Sequence, residues 1–199
     1  PWLGTSWRRL HSPTLFLWGR ALQSNPRHWP EPAVMSAGAS EDISAWRKTL
    51  HQNDEVIVRR DLGAGGRKSG KRQMEASIKD MASQALTPDA DALALCRWLQ
   101  CITNKGRFLE LGTSLGVMSA HVASLGWEVD TWEGCPETLR WAQKGWEALG
   151  CANQIHPQCG DFMTLVQNIE KDKIWDVVYL DGFHDEEATM HLAAALAPH

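Results

Sequence analysis

The chain has 199 residues, 43% of them hydrophobic and 22% charged, an ordinary globular mix sufficient for one domain with extensions. A formal net charge of -4 excludes nucleic-acid binding driven by bulk positive charge, and no apolar run reaches the ~20 residues of a membrane span. Five cysteines, Cys96, Cys101, Cys135, Cys151 and Cys159, form no C-x-x-C pair, which predicts reduced thiols and a cytoplasmic protein.

Residues 1–40 read as a leader outside the fold. They carry Trp2, Trp7, Trp18 and Trp29, several prolines and no acid before Glu31, so an organelle transit peptide is an alternative. Residues 41–104 read as a helical and lid region. A short helix is expected over Glu41–Gln52 with Ser40 as cap, and Glu55–Leu62 reads as strand-like at Val56, Ile57 and Val58. The basic loop Gly63–Arg72 follows; it matches G-x-x-x-x-G-K from Gly65, but Arg72 stands where a phosphate loop needs Ser or Thr for magnesium. A solvated loop or a cationic lid fits it better. Met74, Ile78, Met81 and Leu86 then recur on one side of a helix expected over Gln73–Leu86. Thr87-Pro88 predicts a second helix to about Ile102, with Thr87 as its cap.

From residue 105 the pattern alternates strand and helix four times. The strands are expected at Phe108–Leu111, Trp127–Trp132, Gln154–Gln158 and Trp175–Leu180. The helices are expected at Leu115–Ser124, Pro136–Leu149, Phe162–Ile169 and Asp185–Leu196. Four such units in series predict an α/β fold: a doubly wound parallel sheet with right-handed crossovers. Val177–Leu180 is too apolar for an outer strand, so an open flank there would be prone to self-association.

The first unit carries the chemistry. Glu110-Leu111-Gly112-Thr113-Ser114-Leu115-Gly116 places a carboxylate inside a strand, a glycine bend after it, and Ser114 as candidate helix cap. Such a bend aims backbone amides at a ligand over the strand's carboxyl end. It is not the dinucleotide fingerprint, because Ser114 and Val117 occupy the positions of the second and third glycines. A buried carboxylate is costly unless it is hydrogen-bonded, so Glu110 is expected to hold the bend's amides or face a cationic ligand group. Further acids stand at the tips of the next three strands: Glu133, Asp161 beside Phe162, and Asp181 with His184 nearby. A carboxylate suits a ribose cis-diol because its two oxygens accept two O–H donors together.

Taken together, "DLGAGG", "FLELGTSLG", "WEGCPETL", "GDF" and "YLDGFH" make residues from about Asp54 to Pro198 resemble a class I S-adenosylmethionine-dependent methyltransferase. The likeness is to a group of small bacterial enzymes. The resemblance implies that Glu110, Gly112, Thr113, Ser114 and Gly116 cradle the methionine end of the cofactor. Glu133 and Gly134 would serve the ribose, Asp161 and Phe162 the adenine. Asp181 would lie near the sulfonium and the acceptor, with His184 as general base. The acceptor would be a small molecule methylated at oxygen. Metal-dependent relatives carry a second ligand set after strand five that has no counterpart here, so no metal is assigned. The resemblance implies a Rossmann-like sheet whose four visible strands are ordered 3-2-1-4; the family pattern continues for three more strands, which makes the chain look truncated at its C-terminus. The alternatives are a non-catalytic cofactor-binding remnant and an NAD-linked oxidoreductase.

Overall fold

A computed structural model describes residues 15–18, 37–58, 75–182 and 186–199. In chain order these form β1 (Leu15–Trp18), α1 (Ala37–Leu50), β2 (Val56–Val58), β3 (Glu75–Ser77), α2 (Ile78–Ala85), α3 (Asp89–Ile102), β4 (Arg107–Leu111), α4 (Val117–Ala123), β5 (Glu128–Glu133), α5 (Pro136–Ala148), β6 (Ile155–Cys159), α6 (Phe162–Gln167), β7 (Val177–Leu180) and α7 (Glu186–Leu196). The main sheet runs β1-β7-β4-β5-β6. Its β6-β5-β4-β7 part is parallel, four strands joined by three crossovers in the expected 3-2-1-4 order.

Alternation along the strands sorts the core into two layers. Phe108, Val129, Val177 and Tyr179 point to the face covered by the lead-in helices with α4 and α5. Leu109, Leu111, Trp132, Val178 and Leu180 point to the opposite face, under α6 and α7. Both faces are covered, so beyond the exposed Arg107 at its start β4 is buried, as is all of β7, and apart from Glu110 and the Tyr179 hydroxyl these buried stretches are apolar.

The flank of β7 expected to be open is hydrogen-bonded instead. β1, drawn from the stretch expected as a leader, lies antiparallel to it with Leu15 opposite Leu180 and Trp18 opposite Val177. A second difference lies at Gln73–Leu86, expected as one helix. Glu75–Ser77 is a strand that pairs with β2, and the helix starts only at Ile78. Ser77 explains the break: its hydroxyl accepts from the Asp80 amide at 3.0 Å and caps α2. The first helix is longer than expected, with Ser40 inside it rather than at its cap. The lead-in is fastened to the alternating part through Trp46, which lies so close to Gly145 of α5 that a Cβ there would sit 1.9 Å from the ring. All five cysteines are unbridged. Among the described residues, no helix is long and apolar enough to cross a membrane.

Candidate functional site

The bend after β4 is held from two sides. The Gly112 and Thr113 amides donate to the Trp132 carbonyl at 2.9 and 3.2 Å, tying the bend to the end of β5. Gly112 has φ +105°, and a Cβ on it would lie 2.7 Å from the Asp181 carbonyl oxygen, so only glycine lets the tips of β4 and β7 meet. Gly116 has φ +79° and would drive a Cβ into Trp146, whose indole N–H donates to the Gly116 carbonyl at 2.8 Å. Gly116, not Ser114, is the residue that opens α4. Ser114 is displaced into the bend itself, at φ +51°, a left-handed conformation that costs a non-glycine residue. Its buried hydroxyl has no hydrogen-bond partner.

Glu133 supports that bend. One carboxylate oxygen accepts the Ser114 amide at 2.7 Å and the other accepts the Cys135 amide at 2.8 Å. Both bonds anchor loop backbone, where the sequence reading expected ligand hydroxyls. Gly134 lies between the two anchored segments.

Glu110 lies in the row below. In register it is flanked by Thr131 on β5 and Tyr179 on β7. The Thr131 hydroxyl donates to Glu110 Oε2 at 2.8 Å, and the Ser119 hydroxyl from α4 donates to the same oxygen. Because Thr131 gives its proton to Glu110, the Thr113 hydroxyl must donate to Thr131 across their 2.6 Å contact. Burial raises the Glu110 carboxyl from an ordinary 4.5 to about 8; the two hydroxyls oppose the shift, and the acids Asp181 and Glu133 add to it.

At the tip of β7, Asp181 Oδ2 accepts from the Thr87 hydroxyl at 3.1 Å and the Tyr179 hydroxyl at 3.2 Å. Thr87 is therefore not the cap of α3; Pro88 takes that position without a side-chain bond. The Thr87 carbonyl is in turn held by the Arg47 guanidinium at 2.7 Å, and Arg47 also pairs with Asp89 at 2.8 Å. Burial, with Asp181 next, pushes the Tyr179 phenol far above its usual range, so it stays a donor. Sequence reading missed Thr87, Tyr179 and Arg47 as site residues. The only available signal was the hydroxyl of Tyr179 two residues before Asp181, on the same face of the strand.

Asp161 caps α6, with Oδ2 accepting the Thr164 amide at 3.0 Å and the Thr164 hydroxyl at 2.9 Å. Phe162 is buried in the core beneath α6 and α7, against Gly182. Its ring thus fills the layer behind the Asp181-Gly182 tip. His184 and the basic loop 63–72 lie outside the described residues. Among the described residues, no three His, Cys, Asp or Glu side chains are placed to hold a metal ion.

Solved structures share this fold. An O-methyltransferase from Bacillus cereus, crystallised in complex with SAH, aligns with a TM-score of 0.52 at 16% identity, over 81% of this chain and 62% of its own. The cofactor-bound protein Rv0187 from MTB aligns with a TM-score of 0.54 at 18% identity, over 85% of this chain and 70% of its own. The fold is that of the class I S-adenosylmethionine-dependent methyltransferases. No family model matches the sequence, and no curated protein matches it significantly. The chain spans less than two thirds of the length of the Bacillus cereus enzyme. Within the methyltransferase fold, the Glu110, Glu133 and Asp181 tips occupy three adjacent parallel strands around one left-handed bend.

Proposed function

We propose that this chain binds S-adenosylmethionine and forms the cofactor-binding part of a methyltransferase acting on a small-molecule acceptor, at oxygen. One observation carries the reading: a buried bend with a strained, unpartnered Ser114 hydroxyl sits among Glu110, Glu133 and Asp181 at the carboxyl ends of three neighbouring strands. That donor set fits the cofactor. Carboxylates suit its ammonium and sulfonium charges and its ribose hydroxyls. The O-methyltransferase architecture of the solved neighbours supports the same reading at the level of fold.

When bound, the cofactor supplies a methyl group on a good leaving group. The chain's residues have to hold and orient. Glu133 would accept ribose hydroxyls while keeping the bend in place. Glu110 and the bend would receive the methionine end. Asp161 and Phe162 would border the adenine. Asp181, pinned by Thr87 and Tyr179, would face the reacting centre, with His184 as proton acceptor from the substrate hydroxyl. The lead-in over residues 41–104 would wall the acceptor side, since Thr87 reaches Asp181 from it.

The test is calorimetric titration with S-adenosylhomocysteine. A dissociation constant in the micromolar range is expected, weakened at least tenfold (about 1.4 kcal/mol) in Glu133→Ala. Unchanged affinity in that variant removes Glu133 from the site. Turnover of S-adenosylmethionine on a panel of hydroxylated acceptors then separates a catalyst from a binding remnant.

A further inference from the structure

We infer that Arg47 and Thr87 form a strut that sets where the Asp181 carboxylate stands. They are thus positioning residues, through which the lead-in segment governs how strongly the site prefers a cationic sulfonium to a neutral thioether. The inference rests on the functional reading above, in which Asp181 faces the reacting centre. It adds a dependence on α1 that the methyltransferase fold alone does not imply.

The main chain of Asp181 is fixed by the sheet. Its amide donates to the Leu111 carbonyl at 2.9 Å, which ties the tip of β7 to β4. Rotation of the side chain is the freedom that remains, and two hydroxyls act on it. Tyr179 and Thr87 both donate to Oδ2, at 3.2 and 3.1 Å. Tyr179 belongs to β7 itself. Thr87 comes from the short link between α2 and α3, 94 residues away in sequence, so something outside the sheet must hold it in place.

Arg47 supplies that hold. Its Nη1 donates to the Thr87 carbonyl at 2.7 Å, and the same nitrogen pairs with Asp89 at 2.8 Å. One guanidinium nitrogen thus grips the link on both sides of Pro88. The proline confines Thr87 to extended backbone. A threonine side chain is stiff about χ1, so fixing the Thr87 backbone also fixes its hydroxyl. The Arg47 side chain is only 12% exposed, and its neighbour Trp46 packs on Gly145 of α5, which gives the strut a rigid foot.

The sign of the effect separates position from plain charge. By charge alone, deleting the Arg47 cation would favour a cationic ligand. Loss of position works the other way, because a freed Asp181 carboxylate turns from the place where the sulfonium would profit from it. A unit charge withdrawn by ~1 Å from an opposite one at ~4 Å, in surroundings of intermediate dielectric, weakens binding about fourfold. A neutral thioether feels no such loss.

The experiment is calorimetric titration of the whole chain with S-adenosylmethionine and with S-adenosylhomocysteine, read as the ratio of the two affinities. Arg47→Met should weaken S-adenosylmethionine about fourfold more than S-adenosylhomocysteine. Arg47→Lys should restore most of the ratio, because a single nitrogen serves both acceptors. Thr87→Val keeps the branched shape, drops the hydroxyl and changes no charge. It should show the same selective loss, so the strut is tested even if Arg47→Met fails to fold. Equal losses for the two ligands in a folded variant, no loss at all, or a shift toward S-adenosylmethionine overturns the strut and leaves the functional reading intact. A wild-type chain that binds neither ligand overturns both.

Discussion

Two buried acids one residue apart in register show what the two ends and faces of this sheet are for. Asp130 on β5 lies opposite Leu109, on the α6 and α7 face; Glu110 on β4 lies opposite Thr131, on the other face. Asp130 has its positive partners built in. Lys173 reaches one oxygen at 3.1 Å, and the Trp175 indole at 2.6 Å and Arg107 at 3.5 Å reach the other. Glu110 has two hydroxyls and two neighbouring acids. The same chemical group is thus an ion-paired staple at one site and, among the described residues, a hydroxyl-bonded acid raised by burial at the other. Burying the second arrangement costs stability wherever the carboxyl is ionised.

Asp130→Ala should break the comparison hardest. It leaves the Trp175 N–H without its acceptor and strands Lys173, which is 23% exposed and can turn to water, so the loss falls at the low end for a buried pair, about 3 kcal/mol. For a chain of this size that lowers the melting temperature by roughly 6–12 °C. Affinity for S-adenosylhomocysteine should stay within about twofold. A large loss of affinity in a still-folded variant would show that the staple and the site are not separate.

Glu110→Gln should act with the opposite sign and only at high pH. The folded chain holds the Glu110 proton more tightly than the unfolded chain, from an ordinary 4.5 up to about 8. Folded protein therefore binds more protons between those values, and wild-type stability falls as pH rises through them. The amide carries no charge to bury. At pH 5 the two proteins should melt together, and at pH 9 the variant should be more stable by about 2 kcal/mol. Parallel melting curves across pH 5 to 9 would place the perturbed titration elsewhere.

This asymmetry was half visible in the sequence. The Glu110 strand, the Gly112 bend and the acids after successive strands stand out because strand alternation and glycine punctuation are local signals. The parallel, doubly wound sheet followed from the alternation of strands and helices, and its 3-2-1-4 order from the family resemblance. Where side chains cross between distant segments, local signals fail. Thr87 looks like a helix cap because Thr-Pro is a capping pair, yet a carboxylate 94 residues away takes its hydroxyl. Ser114 looks like a cap for the same reason, but Gly116 relieves the steric conflict with Trp146 and claims the position. Glu75–Ser77 carries a helical pattern that pairing with β2 overrides. Asp130 looked like any strand residue, since its partners on β4 and after α6 are remote in sequence.

Tyr179→Phe offers the finest division between the two kinds of buried acid. The phenol is a donor to Asp181 at 3.2 Å and lies 3.3 Å from the Thr87 hydroxyl, which remains bonded to the same carboxylate oxygen when the phenol is removed. The ring's stacking on Phe108 is also kept, with centroids 6.1 Å apart. Loss of one buried hydrogen bond should therefore cost only about 1 kcal/mol of stability. If Asp181 is held for a ligand, as proposed for Glu110, its looser carboxylate should weaken S-adenosylhomocysteine binding about threefold, with Thr87→Ser leaving affinity unchanged because the hydroxyl persists. If Asp181 is a staple like Asp130, stability falls and affinity does not move. The ratio of the two effects, measured by melting and titration on one preparation, assigns the acid at the tip of β7 to one class or the other.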